Sequence, residues 1–222
     1  GAGDHRTIRR TTGLALTAVC GIGLVYITMA QIFPAQMMAF FTGEQAVIEA
    51  GTGYIRIASL SILFSGLSLV VSTAVRSTED VTTPFIASTF GVISNCLLNY
   101  GLIYGNFGLP AMGLEGAAIA TVVAMAIQLA IILGIAWKKK SVFLQNPTQL
   151  FGWEGSFVRK YISISTPVLL NEAMWALGTT IYSMILARQG SENYAAYTVF
   201  NSIHEVFFVF FVGLCNACAI MV

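Results

Sequence analysis

The chain has 222 residues, of which 56% are hydrophobic and only 9% charged, with a mean hydropathy of +0.78. A water-soluble domain carries about 25% charged residues, so lipid and not water is expected to solvate most of this surface. The formal net charge of +1 argues against a nucleic-acid partner, which would need a clustered basic face.

In chain order, six apolar segments are long enough to cross a hydrocarbon core of about 30 Å, which takes about 20 helical residues. They fall at 14–33, 54–75, 85–103, 116–137, 161–187 and 195–222. In the first gap, Thr42-Gly43-Glu44 and Gly51-Thr52-Gly53 read as breaks. Ser77-Thr78-Glu79-Asp80 with Pro84 marks the second gap, and Gly105-Asn106-Phe107-Gly108-Leu109-Pro110 the third. The longest connection, 138–160, is polar at both ends and holds Pro147. Backbone polar groups in lipid must be satisfied within the segment, and no alternating barrel pattern is present, so each segment is predicted to be a helix. Pro167 should kink or start the fifth helix. Small residues such as Ser59, Ser61, Ser65, Gly66 and Ser68 suit close packing of helices.

Basic residues orient the chain. Alternating the gaps puts Arg6, Arg9, Arg10, Arg76, Lys138, Lys139, Lys140, Arg159 and Lys160 on one side, against Arg56 and Arg188 on the other. That bias assigns the first set to the cytoplasm. The chain opens with Gly-Ala-Gly-Asp-His-Arg, without an initiator Met, and stops inside an apolar run, so a piece of a longer polypeptide is expected. Cys20, Cys96, Cys215 and Cys218 all lie in apolar runs and read as small packing residues. The C-x-x-C of Cys215 and Cys218 has no second ligand pair of the kind zinc requires. No metal site or organic cofactor is expected, and no catalytic motif is present.

Polar side chains inside the apolar runs carry the functional signal. Glu172 lies in the fifth segment, and His204 with Glu205 in the sixth. A charge at the bilayer centre costs about 3 kcal/mol or more, so an ionisable group there is a candidate site for a cation or a proton. From the outer turn that joins their helices, Glu172 and Glu205 count out to about one to two turns apart in depth. Glu172 heads a stripe with Trp175, Ala176, Thr179 and Ser183, while Tyr197, Asn201, His204 and Glu205 share one face of the next helix. Asn95 and Asn99 share a face four residues apart, and Thr121 and Gln128 share another. Two uses stay open for the amides and hydroxyls, either a polar cavity or hydrogen bonds between helices, worth roughly 0.6 kcal/mol each. Gln128 reads as the latter. Glu205 and His204 could pair and neutralise one another. Trp175 and the Phe-rich stretch 207–211 read as packing surfaces that can also take bulky apolar cations.

Several strings together resemble one family. Tyr54-Ile-Arg-Ile-Ala, then Ala74-Val-Arg76-Ser-Thr-Glu-Asp80 and Thr83-Pro84, resemble the fourth helix and following loop of MATE (multidrug and toxic compound extrusion) transporters. Asn95-x3-Asn99-Tyr100, the Gly105–Pro110 turn and Met112-Gly-Leu-Glu-Gly-Ala-Ala-Ile-Ala-Thr121 are similar to its fifth and sixth helices. Pro167-x4-Glu172-x2-Trp175 and Gly190-x4-Ala195-Ala-Tyr197 are similar to its seventh and eighth. The resemblance implies an all-α polytopic membrane protein of twelve helices in two lobes, of which this chain would hold helices three to eight. Residues 1–137 would belong to the first lobe, 138–160 to the cytoplasmic connection and 161–222 to the second lobe. Helices one and two and nine to twelve would be supplied by the rest of the same polypeptide.

The resemblance also implies a function. It points to a multi-pass transporter of the plasma membrane that exports organic cations or drugs in exchange for Na+ or H+. Coupling would fall to Glu172, and Asn95, Asn99 and Thr121 would line the first-lobe cavity. Some members carry Asp where this chain has Asn99, so a titratable role is lost there. His204 and Glu205 match no general motif of the family. Two other readings are a lipid-linked oligosaccharide flippase of the same architecture and a membrane-embedded enzyme acting on lipids. The first lacks the intramembrane basic residues an anionic headgroup would need. The second lacks clustered Asp and His at one face.

Overall fold

The computed structural model describes residues 5–141 and 150–221. Seven helices follow one another: α1 (His5–Ile32), α2 (Pro34–Phe41), α3 (Gln45–Arg76), α4 (Thr82–Tyr104), α5 (Gly113–Lys138), α6 (Gly155–Arg188) and α7 (Ser191–Met221). No strand occurs among the described residues. Every expected segment is a helix, and α2 is an addition. Part of the expected connection at 138–160 lies outside the described residues, and α6 already begins at Gly155 within it.

Local chemistry sets the boundaries. α1 stops at Ile32 because Pro34 forces the residue before it out of the helical region; Phe33 sits at φ −121°. Pro34 then starts α2 at the position where a missing N–H costs nothing. The Gly51-Thr52-Gly53 break does not occur, since all three lie inside α3. Packing overrides the weak propensity there: a Cβ on Gly51 would collide with the Met38 side chain, and one on Gly53 would lie 2.6 Å from Glu115 Oε1. The Thr52 hydroxyl donates to the Ile48 carbonyl at 2.7 Å and so stays within the helix. α4 ends as its sequence suggests, with Gly105 at φ +73° donating its N–H back to Gly101. Pro167 lies inside α6 and starts no helix.

At about 1.5 Å per residue, each of the six long helices exceeds the ~30 Å core. Five are also apolar enough to cross it: Arg6–Ile32, Gln45–Arg76, Thr82–Tyr104, Gly113–Lys138 and Asn193–Cys215. The fifth expected span, α6, has the length but is more polar. Ser163, Ser165, Thr166, Asn171, Glu172, Thr179, Thr180 and Ser183 dilute its apolar content.

α5 is the centre of a four-helix bundle. It packs on both α4 and α3, and α1 packs on α3. Val71, Ala74, Val75, Ala87, Ile132 and Ala136 form the common core. The bundle is tight because its contacts are small, as in membrane helix packing generally. A Cβ on Gly116 would lie 2.6 Å from the Leu102 carbonyl oxygen, and one on Gly91 would lie 2.7 Å from Gln128 Oε1. α6 and α7 pack mainly on each other, and α6 touches the bundle near its two ends. Large apolar side chains such as Ile22, Leu69, Phe85, Phe90 and Val92 face outward, as a lipid-facing surface requires. The nine basic residues of the expected inner set do gather at one end. The contact of Arg10 with Glu154 and of Lys139 with Asp80 brings the start of α1, the α3–α4 turn, the end of α5 and the start of α6 together.

Candidate cation and substrate site

The polar side chains form two groups. In the bundle, α4 carries Asn95 and Asn99, both half-buried. Asn99 Nδ2 donates to Asn95 Oδ1 at 3.0 Å, and the buried Oδ1 of Asn99 has no hydrogen-bond partner among the described residues. Thr121 on α5 donates to the Ala117 carbonyl at 2.9 Å. Two close approaches fix the register of these antiparallel helices, Gly91 against Gln128 and Gly116 against Leu102. Thr121 is therefore level with residues 97–98, between the two asparagines in depth. None of these three side chains bonds across to another helix. Their polarity is not spent on holding helices together, and an unmatched buried acceptor costs roughly 1–3 kcal/mol. Gln128 fills the space over Gly91 by contact and makes no hydrogen bond among the described residues.

The second group lies on the α6–α7 hairpin. The edge-to-face contact of Tyr182 with Tyr197, 5.3 Å between ring centroids, and that of Tyr194 with Tyr197 pin its register. Glu172 lies about 24 Å from the outer end of α6, and Glu205 about 21 Å along α7 from the same turn, at ~1.5 Å per residue. The acids are therefore separated by about 3 Å in depth, closer than the expected one to two turns. The reason is that α7 starts at Ser191, right after the turn that follows Arg188.

Glu172 is exposed and has no hydrogen-bond or ion-pair partner among the described residues. Trp175 is 67% exposed. Thr179 bonds only to its own backbone, at 3.2 Å to the Trp175 carbonyl and 3.0 Å to that of Ala176. On α7, His204 and Glu205 do not pair. Asn201 Nδ2 reaches Glu205 Oε1 at 3.3 Å. His204 stacks between Phe200 and Phe208, at centroid distances of 6.3 and 5.8 Å. Neighbouring helix residues point about 100° apart, and the aromatic ladder at i±4 claims the imidazole. The two polar groups do not touch. Among the described residues no cluster of His, Cys, Asp and Glu could hold a metal.

Two clusters went unrecognised in the sequence. Asp80 accepts from Lys139 Nζ at 2.8 Å, from the Thr83 hydroxyl at 2.6 Å and from the Thr83 N–H at 3.1 Å. Burial pushes its carboxyl up, but the Lys139 ammonium and the two Thr83 donors outweigh burial and leave it lowered to about 2. The Asp80-x-x-Thr83 spacing ahead of Pro84 is a helix-start signal that could have revealed this cluster. Arg10 with Glu154 and Phe157 forms the other cluster, and no local spacing announces a contact across 144 positions.

The MatE family model matches residues 1–101. The match to the MATE family thus falls on the first 101 residues. Similarity to curated relatives runs on past that region. The chain is 21% identical to the "Probable multidrug resistance protein NorM" of Thermotoga maritima, over 94% of the chain and 45% of the relative. It is 24% identical to the "Probable multidrug resistance protein YoeA" of Bacillus subtilis, over 91% and 44%. Against the "Uncharacterized membrane protein YabM" of Bacillus subtilis it is 31% identical over 52% of the chain and 20% of the relative. The chain thus spans less than half the length of these relatives. No solved structure matches it.

Proposed function

We propose that this chain is part of a secondary active transporter of the plasma membrane. It exports organic cations or drugs in exchange for Na+ or H+, and does no covalent chemistry of its own. Residues 1–137 contribute to one lobe, 161–222 to the other, and 138–160 connect them on the cytoplasmic side. The observation that carries the reading is Glu172, an acid with no partner near the middle of a long helix, on the element whose polarity sets it apart. Such a group is costly in a membrane unless it binds something. It can hold a proton or Na+ and give it up when a cationic substrate arrives. Trp175, Thr179, Tyr197 and Asn201 line the same side of the cycle with an aromatic and hydrogen-bonding surface. In the bundle, Asn95, Asn99 and Thr121 offer neutral oxygens to a cation. The printed names of the NorM and YoeA relatives, multidrug resistance proteins, support the drug class. The two halves then rock about the midplane site to expose it alternately.

The test is Glu172→Gln in the full-length protein, which keeps size and hydrogen bonding but cannot bind a proton or neutralise a cation. Gradient-driven efflux of an organic cation from reconstituted vesicles is expected to fall at least ~10-fold, with the protein still folded. Glu205→Gln is expected to lower efflux less, because Asn201 already engages that carboxylate. Normal efflux from Glu172→Gln would make the acid structural and move coupling to the bundle.

A further inference from the structure

The bundle and the α6–α7 hairpin are joined by different kinds of contact at their two ends. At the basic end, Arg10 Nη2 donates to Glu154 Oε1 at 3.1 Å, and the guanidinium lies 5.9 Å from the centre of the Phe157 ring. The Arg10 side chain is 16% exposed and that of Glu154 68%, so only the guanidinium side of the pair is shielded from solvent. Three residues along α1, Gly13 lets the Leu150 carbonyl approach so closely that any Cβ there would collide with it. Trp153 Nε1 donates to the same carbonyl and braces the segment. At the opposite end α2 packs on α6 and Arg188 Nη2 donates to the Phe40 carbonyl at 3.5 Å, without an ion pair among the described residues. Between the two ends, α6 has no buried residue. Directly behind the basic-end contact lies a cavity of about 430 Å³, walled by Thr7, Thr11 and Ala15 of α1, Leu69 and Thr73 of α3, and Tyr161 of α6.

We propose that Arg10, Glu154 and Phe157 form an inner latch that closes the cytoplasmic end of the space between bundle and hairpin. Releasing the latch opens the cavity at Tyr161 to the cytoplasm. The proposal rests on the two-lobe transport reading and adds to it the residues that set which side is closed. The charge pair gives strength and direction, while the ring under the guanidinium keeps water off one of its faces.

The experiment uses the full-length protein with its cysteines replaced and one probe, Tyr161→Cys. A membrane-impermeant maleimide is applied to the cytoplasmic face of vesicles, and the labelling rate is read. Arg10→Glu and Glu154→Arg are each expected to raise that rate about fivefold, the scale of a partly shielded ion pair. The double reversal, Arg10→Glu with Glu154→Arg, is expected to return it to within about twofold of the parent, which a merely misfolded single variant would not allow. Single reversals without effect, or a double reversal that stays fast, would overturn the latch. Efflux of an organic cation is followed in the same vesicles. Labelling that behaves as expected without any parental efflux would support the latch and sink the transport reading. Normal efflux with unresponsive labelling would do the reverse.

Discussion

Removing the Asp80 carboxylate tests how the basic end of the bundle is held. Asp80 joins the α3–α4 turn, the first turn of α4 and the end of α5, because Oδ2 accepts from both Lys139 and Thr83 while Oδ1 caps the Thr83 N–H. A carboxyl lowered from 3.8 to about 2 corresponds to at most about 2.4 kcal/mol, at 1.36 kcal/mol per unit. Lys139 is 50% exposed, so solvent screening reduces this to roughly 1 kcal/mol. Loss of the cap costs about 1 kcal/mol more. Asp80→Asn keeps an oxygen for the cap and is expected to cost about 1 kcal/mol. Asp80→Ala loses both functions and is expected to cost about 2 kcal/mol, with the fully buried Thr83 hydroxyl left with fewer partners. Thermal unfolding of the full-length protein in detergent at pH 7 should rank the parent first, Asp80→Asn second and Asp80→Ala last. Because the folded carboxyl is the more acidic one, its stabilisation is complete above about pH 4. It is lost as pH falls toward 2, where the parent should approach Asp80→Asn while Asp80→Ala, still without the cap, stays about 1 kcal/mol lower. Equal midpoints for Asn and Ala at pH 7, or a parent advantage over Asn that persists undiminished at pH 2, would refute the reasoning.

Two glycines on α5 should respond in opposite ways. Gly116→Val drives a side chain into the Leu102 backbone carbonyl and is expected to cost at least 1–3 kcal/mol. Gly134→Ala meets nothing within 4 Å and is expected to be neutral or to gain roughly 0.5–1 kcal/mol. Melting temperatures of the two variants check both. Single cysteines placed at Ser141 and Phe151, on either side of the undescribed part of the connection, should label with an impermeant reagent only from the cytoplasmic face. Labelling from outside intact cells would invert the orientation.

The six long helices and their order were legible because a membrane span needs that length, and five of them also have the apolar content. Boundaries were less so. Gly51-Thr52-Gly53 reads as a break by propensity, but close approach of Met38 and Glu115 makes glycine a packing residue there. α2 was hidden because eight residues leave no periodic trace long enough to read, and Pro34 was the available sign. Site residues were legible as types on helical faces: Asn99 does meet Asn95 and Asn201 does meet Glu205, while His204 turns to Phe200 and Phe208. Not every partner was legible: nothing local distinguishes a His204 that pairs with Glu205 from one that stacks on Phe200 and Phe208. Contacts between distant elements, such as Arg10 with Glu154, leave no signature in a single sequence.

α6 joins these observations. It is the helix whose polar residues lower its affinity for lipid, and it is also the one that meets the bundle near its ends and is open between them. A helix held only for structure would place its polar groups where partners satisfy them, as Thr52 does against the Ile48 carbonyl. Glu172 instead stands unpaired along the open stretch, and the level at which it stands matters. It lies within about 3 Å in depth of Glu205. The proposed cation site would therefore have two acids at nearly one level, and Glu172→Gln with Glu205→Gln should then lower efflux further than Glu172→Gln alone. Equal efflux from the single and double variants would leave Glu205 out of the site.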